Sequence, residues 1–287
     1  MTQASPIPVG KQVVLDKDMT IHYHDTGNGG GSGGGNDSGD NVVVFLHGSG
    51  PGASGFSNFK QNYPVFAEHG YRVVVPDLPG YGLSSKPEDN EYILDYFVGV
   101  LHQFLQITGI SRCTLVGNSL GGAIALKYAL DYPQEITKLI LMAPGGVEER
   151  ETYFRMEGIQ KMMSLFTGRQ LNAVTMRELM SLLVYDASHI TDTLIAERLP
   201  VCDMQPTTVL STMRVPNMTE RLGEITCPVL GFWGTDDKFN PASGAMKIME
   251  HCRDARMLLI NRCGHWVMVE HRDTFNRLCL EFLDSKI

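Results

Sequence analysis

The stretch "LVGNSLGGA", residues 115–123, ends an apolar run with a serine that stands between two glycines. Ser119 is the centre of a G-x-S-x-G motif completed by Gly117 and Gly121. The residues before it predict a strand and those after it predict a helix, so the serine would occupy a sharp strand-to-helix turn. In that context the motif predicts a nucleophile. The alternative is a serine that only caps the helix.

The rest of the chain surrounds this motif with short β-branched runs that alternate with helical patterns. Strands are predicted at 42–46, 71–77, 113–117, 138–143, 228–233 and 255–260, and helices at 56–69, 93–108, 119–131 and 271–285. This alternation predicts an α/β fold, with a mostly parallel sheet covered by helices on both faces. Before it, residues 11–27 predict a hairpin, and the glycine-rich stretch 27–39 predicts a flexible exposed connection whose role stays open.

Residues 149–218 break the alternation, because they are predicted to form consecutive short helices. They also contain eight of the fifteen methionines. We interpret them as an inserted helical cap, here called the cap segment, within one core domain made of residues 1–148 and 219–287. Methionine-rich helices can form an adaptable apolar lining, although the methionines could equally fill an irregular helical core.

A serine hydroxyl is a weak nucleophile, so Ser119 requires a histidine base and a carboxylate that orients it, in the chain order Ser, Asp, His. Of the nine histidines, His265 follows the last predicted strand. Two neighbouring carboxylates, Asp236 and Asp237, follow the strand at 228–233. From the residues alone either aspartate could be the acid.

These features together resemble the α/β-hydrolase superfamily. The resemblance implies that the acid is Asp237, four residues before Pro241, and that Asp77 at the end of an earlier strand is structural. It also implies an oxyanion hole formed by two backbone N–H groups, those of Leu120 and of Ser49 in the loop "HGSG". A phosphate-binding loop is excluded there, because no lysine followed by serine or threonine completes that motif.

A narrower resemblance is to the meta-cleavage product hydrolases, which cleave carbon–carbon bonds in aromatic and steroid ring degradation. It is carried by "HGSGPGASGFSNF" (47–59), "VGNSLGGAIALKYALDYP" (116–133), "KLILMAPGGV" (138–147), "LLVYDASHITDTL" (182–194), "DDKFNP" (236–241) and "CGHWVMVEHRDTFNRL" (263–278). The clearest departures are the glycine-rich stretch and residues 201–217. The resemblance implies hydrolysis of the C5–C6 bond of a 2-hydroxy-6-oxo-2,4-dienoate to 2-hydroxypenta-2,4-dienoate and a carboxylic acid, without metal or organic cofactor.

The same resemblance assigns residues to the substrate. Asn58 and Asn118 would lie near the dienoate end, and Arg198 would bind its carboxylate. Leu183 stands where the family often has a phenylalanine, which suggests a different or roomier pocket for the group on C6. Two aromatic side chains would line the pocket: Phe239 and Trp266.

Composition excludes several other classes of protein. A formal charge of −8 argues against a nucleic-acid partner. The six cysteines form no metal-binding or disulfide pattern, and no apolar run approaches the length of a membrane span. We therefore expect a cytoplasmic enzyme that acts on a small molecule and forms a homo-oligomer, a dimer or tetramer. The main alternative function is that of a serine carboxylesterase or lactonase with the same triad.

Overall fold

The computed structural model describes residues 8–27, 41–166 and 171–285. The glycine-rich stretch predicted at 27–39 lies outside the described residues apart from Gly27. Within the described ranges, no helix combines the length and the apolar character needed to cross a membrane.

Eight strands form one sheet in the order β1-β2-β4-β3-β5-β6-β7-β8. Their bounds are β1 Lys11–Val14, β2 Thr20–Asp25, β3 Val42–Leu46, β4 Arg72–Pro76, β5 Cys113–Asn118, β6 Ile136–Met142, β7 Val229–Gly234 and β8 Ala255–Ile260. Strand β2 pairs antiparallel with β1 and with β4, and all remaining pairs are parallel. The predicted hairpin and the mostly parallel sheet are both present.

Twelve α-helices lie in the described ranges. They are α1 Gly55–Phe59, α2 Tyr63–Glu68, α3 Leu94–Ile107, α4 Leu120–Asp131, α5 Arg150–Phe154, α6 Glu157–Phe166, α7 Ala173–Ser181, α8 Asp192–Asp203, α9 Thr208–Ser211, α10 Ser243–His251, α11 Val267–Glu270 and α12 Arg272–Asp284. The prediction of one helix over 56–69 was wrong, since α1 and α2 are separate. Pro64 in the first turn of α2 has no N–H to continue a helix from α1.

The core lies on both faces of the sheet, because successive side chains of a strand point to opposite sides. In β3, Val44 and Leu46 pack with residues of α3, α4 and α10. Val43 and Phe45 pack with residues of α1, α2 and α12 on the other face. All five residues of β3 are buried, as expected for a central parallel strand.

Helices α5 to α9 lie between β6 and β7, where the sequence predicts the cap segment. Met176 and Met180 of α7 are fully buried, in one cluster with Leu194 of α8 and with Trp266 of the core. The helices of the cap segment therefore pack on the core around the loop that follows β8. The domain boundaries at 149 and 218 stay a prediction.

The strand-to-helix turn after β5 depends on the absence of a side chain at Gly121. A Cβ atom there would overlap the backbone carbonyl of Leu46, at the end of β3. Helix α4 can therefore cross the sheet at this distance only with glycine at that position.

We predict that Gly121→Ala lowers the free energy of unfolding by about 3 kcal/mol or more, because backbone atoms have to move apart. Gly99→Ala is the matched control: it lies inside α3, is exposed, and a Cβ there would meet no atom within 4 Å. It should raise the free energy of unfolding by about 0.5–1 kcal/mol, since alanine favours a helix. Urea unfolding of both variants measures the difference, and equal effects would contradict this account of the turn.

Candidate active site

Ser119 lies between the end of β5 and the first residue of α4, with φ 56° and ψ −114°. A positive φ is uncommon for a residue with a side chain and is tolerated only where the surroundings enforce it. Here the Ser119 N–H donates to the Met142 carbonyl at 3.0 Å, and the Ser119 carbonyl accepts from the N–H groups of Ala123 and Gly145. The turn predicted from the G-x-S-x-G motif is thus held at both of its backbone polar groups.

His265 and Asp237 are in direct contact. His265 Nδ1 donates to Asp237 Oδ2 at 2.7 Å, and both side chains are buried. The other carboxylate oxygen, Oδ1, accepts from the backbone N–H groups of Phe239 at 2.7 Å and Asn240 at 2.9 Å. The loop after β7 therefore fixes the carboxylate, which in turn orients the imidazole so that Nε2 is free to act as a base.

The structure separates the two candidate aspartates. Asp236 is exposed, and its Oδ2 accepts from the backbone N–H of Arg262 at 2.9 Å instead of contacting His265. It closes the loop that carries the histidine.

Asp77 also lies apart from His265, as the resemblance implied for a structural residue. Its buried carboxylate accepts hydrogen bonds from His22 Nδ1 and from the backbone N–H groups of Gly55 and Leu83, each at 2.8 Å. Burial alone would raise its pKa, but the hydrogen bond from His22 and the neighbouring His47 hold the pKa of Asp77 below its ordinary value. The bond to Gly55 anchors the first residue of α1, the helix that carries Asn58.

A cavity of about 40 Å³, here called the catalytic cavity, lies beside Ser119 and His265. Nine of the residues predicted from sequence line it: Ser49, Asn58, Asn118, Ser119, Leu183, Arg198, Phe239, His265 and Trp266. Of the other two, Asp237 contacts His265. Leu120 follows Ser119 in the chain. Sequence reasoning did not assign Ile159 and Met162 of α6, which also line the cavity, although the methionine-rich composition of the cap segment pointed to this region.

The backbone N–H groups of Ser49 and Leu120 have no acceptor among the described residues. Leu120 is the first residue of α4, so its N–H has no partner within the helix and lies at the positive end of the helix dipole. The Ser49 loop passes close to the turn, because a Cβ at Gly48 would stand 3.3 Å from Ser119 Cβ. These are the two donors predicted for an oxyanion hole.

Arg198 of α8 is a buried cation in the wall of the catalytic cavity. Its Nη2 donates to Asn58 Oδ1, its Nη1 donates to the Pro51 carbonyl at 3.1 Å, and its guanidinium carbon lies 5.0 Å from the centre of the Trp266 ring. The buried Nε has no partner among the described residues. Burial lowers the pKa of Arg198 to about 9, which leaves the group charged at neutral pH. It can therefore bind an anion within the cavity.

The residue before Arg198 in the chain forms an ion pair that joins α8 to the core. Lys60, directly after α1, donates to both carboxylate oxygens of Glu197, at 2.6 and 2.8 Å. Only 3% of the Glu197 side chain is exposed. This pair connects the two short segments that carry Asn58 and Arg198, and sequence reasoning did not identify it.

A second connection joins the cap segment to the loop of His265. The Leu183 carbonyl accepts from the Trp266 N–H at 3.0 Å. The Glu270 carboxylate accepts from the N–H groups of Gly264 and Tyr185. Asn118 contributes from β5, since its side-chain amide donates to the His265 carbonyl at 3.4 Å. The position of His265 is therefore determined by contacts from both parts of the chain.

Comparison with known proteins agrees with this geometry. Residues 41–177 match the α/β-hydrolase fold family. A 2-hydroxy-6-oxononadienedioate/2-hydroxy-6-oxononatrienedioate hydrolase of Comamonas testosteroni is 38% identical over 92% of this chain and 91% of its own. A 2-hydroxy-6-oxo-6-phenylhexa-2,4-dienoate hydrolase of Burkholderia cepacia is 36% identical over 99% of both chains. Among solved structures, a meta-cleavage product hydrolase of Pseudomonas fluorescens IP01 superposes with a TM-score of 0.83 at 26% identity, covering 96% of this chain and 98% of that one.

The chain belongs to the meta-cleavage product hydrolase family of α/β-hydrolases. The resemblance identified from sequence motifs is thereby confirmed for the family and for the fold.

We predict that Lys60→Met lowers the free energy of unfolding by about 3 kcal/mol, because it leaves the Glu197 carboxylate buried without a cation. The double variant with Glu197→Gln should recover most of this loss. Lys127→Met is the control: one of its partners, Asp95, is 71% exposed and stays hydrated, so the change should be below about 1 kcal/mol. Urea unfolding measures all three, and equal losses for the two lysine variants would contradict the role of the buried pair.

Proposed function

We propose that this protein hydrolyses the C5–C6 bond of a 2-hydroxy-6-oxo-2,4-dienoate, with Ser119, His265 and Asp237 as its catalytic residues. The products are 2-hydroxypenta-2,4-dienoate and a carboxylic acid. The relatives named above are hydrolases of substrates in this class, with either a second carboxylate or a phenyl group beyond C6.

The observation that carries the proposal is the buried guanidinium of Arg198 in the same cavity as Ser119 and His265. Burying a cation is unfavourable unless it has partners, and the Arg198 Nε has no hydrogen-bond acceptor in the part of the chain that the structure describes. A substrate carboxylate would supply the missing charge and acceptor. A simple carboxylesterase has no need of such a group, which is why we favour the dienoate over an ester or lactone.

Cleavage between two carbon atoms requires a place for the electron pair of the broken bond. Transfer of the 2-hydroxyl proton to C5 converts the dienol to a 2-keto form. When C5–C6 then breaks, its electrons form the C4=C5 bond, the C3=C4 electrons form the C2=C3 bond, and the C2 carbonyl electrons move to the C2 oxygen, which takes up a proton. His265 is the group in the cavity that can accept and return the proton, while Arg198 and Asn58 hold the carboxylate end.

Addition to the C6 carbonyl produces a tetrahedral oxyanion whether Ser119 or a water molecule attacks. The N–H groups of Ser49 and Leu120, which have no acceptor within the described ranges, are the donors for that oxygen. Asp237 holds the His265 tautomer that accepts the proton of the attacking group. In this proposal Asn118 supports the His265 loop, and Leu183, Phe239 and Trp266 shape the pocket around the reacting atoms.

The predicted homo-oligomer, a dimer or tetramer, and the cytoplasmic location remain part of the proposal.

The first test compares a ring-fission dienoate with short neutral acyl esters. We expect a higher kcat/KM for the dienoate. In Arg198→Gln, kcat/KM for the dienoate should fall about 10- to 100-fold, mainly through KM, because a charged hydrogen bond is lost. For the neutral ester, kcat/KM should change by less than about threefold, which is well below the loss for the dienoate.

Two controls accompany this test. Thermal unfolding of Arg198→Gln shows whether the variant folds, and Arg198→Lys should retain part of the dienoate affinity because it keeps the charge. A higher kcat/KM for esters in the natural protein would refute the carbon–carbon reaction. Equal losses on both substrates in Arg198→Gln would make the arginine structural.

The second test separates the two aspartates. Asp237→Asn should lower kcat on the dienoate by about 10³- to 10⁴-fold, because the amide holds the wrong His265 tautomer. Asp236→Asn removes a charge one residue away without touching His265, so kcat should change by less than about threefold. Steady-state kinetics on both variants measures this, and a comparable loss in Asp236→Asn would refute the assignment of Asp237 as the acid.

A further inference from the structure

A cleft of about 870 Å³, here called the cap cleft, opens beside the catalytic cavity. Its walls come from the first turn of α3, from α5 and α6, and from residues 207–217 at the end of the cap segment. This last wall falls largely within residues 201–217, where the sequence departs from the pattern of the family.

The cap cleft and the catalytic cavity share three lining residues: Ser49, Ile159 and Met162. Arg198 and Asn58 line only the catalytic cavity. A substrate with its carboxylate at Arg198 and its C6 oxygen at the Ser49 N–H would have C6 beside Ser49, a residue that lines both spaces. The cap cleft is therefore the adjoining space that could take the group attached to C6.

We propose that the cap cleft is the binding site for the C6 substituent, and that this substituent is a bulky apolar group of at least two rings. The inference rests on the proposed function above. The volume lies in the upper part of the range of about 300–1,000 Å³ that is typical of sites for drug-sized ligands. A methyl group, or a single small ring, would leave most of the cleft empty.

The lining of the cap cleft specifies the chemistry of that group. Eleven of its nineteen residues are apolar or aromatic, and they include Tyr153, Phe154, Met163, Leu210 and Met213. Phe154 is 38% exposed and Met163 is 49% exposed, so large apolar side chains face water along the cleft. Covering them with an apolar ligand removes their apolar surface from water and so stabilises the complex.

The polar groups of the cap cleft are largely engaged by the protein itself. Asp95 pairs with Lys127 at 2.9 Å, and Glu149 accepts from the Asn217 amide at 2.6 Å. Arg214 donates to the backbone carbonyls of Ser211 and Met213. The Arg150 guanidinium lies over the Phe154 ring, 4.9 Å from its centre. The surface left for a ligand is therefore mainly apolar.

The catalytic cavity itself, at about 40 Å³, is far smaller than the range of about 300–1,000 Å³ that is typical of ligand sites. A six-carbon dienoate therefore fits only when side chains between the two spaces move. Met162 is suited to this, since methionine is unbranched and adopts several rotamers at low cost. Displacing Met162 and Ile159 would merge the cavity with the cap cleft into one continuous site.

The test uses two ring-fission dienoates that differ only on C6, one with a methyl and one with a naphthyl group. We expect kcat/KM of the natural protein to be about 10-fold or more higher for the naphthyl substrate. Met163→Trp narrows the cap cleft at a residue that does not line the catalytic cavity. It should lower kcat/KM for the naphthyl substrate by about 10-fold and change kcat/KM for the methyl substrate by less than about twofold.

Met204→Trp is the matched control, because Met204 is also 49% exposed and lines neither space. It should leave kcat/KM unchanged for both substrates. Hydrolysis of neither dienoate by the natural protein would overturn the proposed function itself. Hydrolysis of both would support that function. The role of the cap cleft would then be overturned by a preference for the methyl substrate, or by a loss of kcat/KM in Met163→Trp that is equal for the two substrates. An equal loss of kcat/KM for the naphthyl substrate in Met204→Trp would overturn it as well.

Discussion

The close crossing of α4 over the end of β3 is the constraint on which the site depends. Gly121 allows the helix to approach the Leu46 carbonyl, and the chain can then turn from β5 into α4 within one residue. That residue is Ser119, which takes the positive φ that the turn requires. The same crossing places the N–H of Leu120 next to the loop that carries Ser49.

The catalytic cavity combines the Ser119, His265 and Asp237 side chains of the core with the Arg198 side chain of the cap segment. Ser119, His265 and Asp237 follow three strands of one sheet, so their spacing is set by its hydrogen-bonded register. Arg198 comes from α8 and would be unfavourable as an isolated buried charge. Asn58, the Pro51 carbonyl and the Trp266 ring surround it, and the Lys60–Glu197 pair ties α8 to the core beside it. The proposed anion-binding site thus lies at the junction of the two parts.

Much of this arrangement could be predicted from local sequence. The G-x-S-x-G motif located the turn because its glycines answer a steric requirement between neighbouring segments. The β-branched runs located the parallel strands because both faces of those strands are buried. Local sequence alone could not decide between Asp236 and Asp237. Both follow β7, and only the path of the loop determines which carboxylate contacts His265.

Other features join residues far apart in the chain and have no local signal. Lys60 and Glu197 are separated by 137 positions, and Asn62 donates to Asn276 across 214 positions. The break between α1 and α2 was missed although Pro64 marked it, because the apolar spacing continues through both helices. The cap cleft depends on how four separate segments pack, so no single motif could have predicted it.

The sequence by itself determined the succession of the strands and most helices along the chain, the strand-to-helix turn at Ser119 and the family. Each of these depends on short sequence patterns whose physical requirements are local. Only the tertiary structure decided which aspartate orients His265, how Arg198 is buried as a cation, and how wide a cleft adjoins the catalytic cavity. These depend on distances between segments that are remote in the chain, and such distances are set by packing over the whole fold.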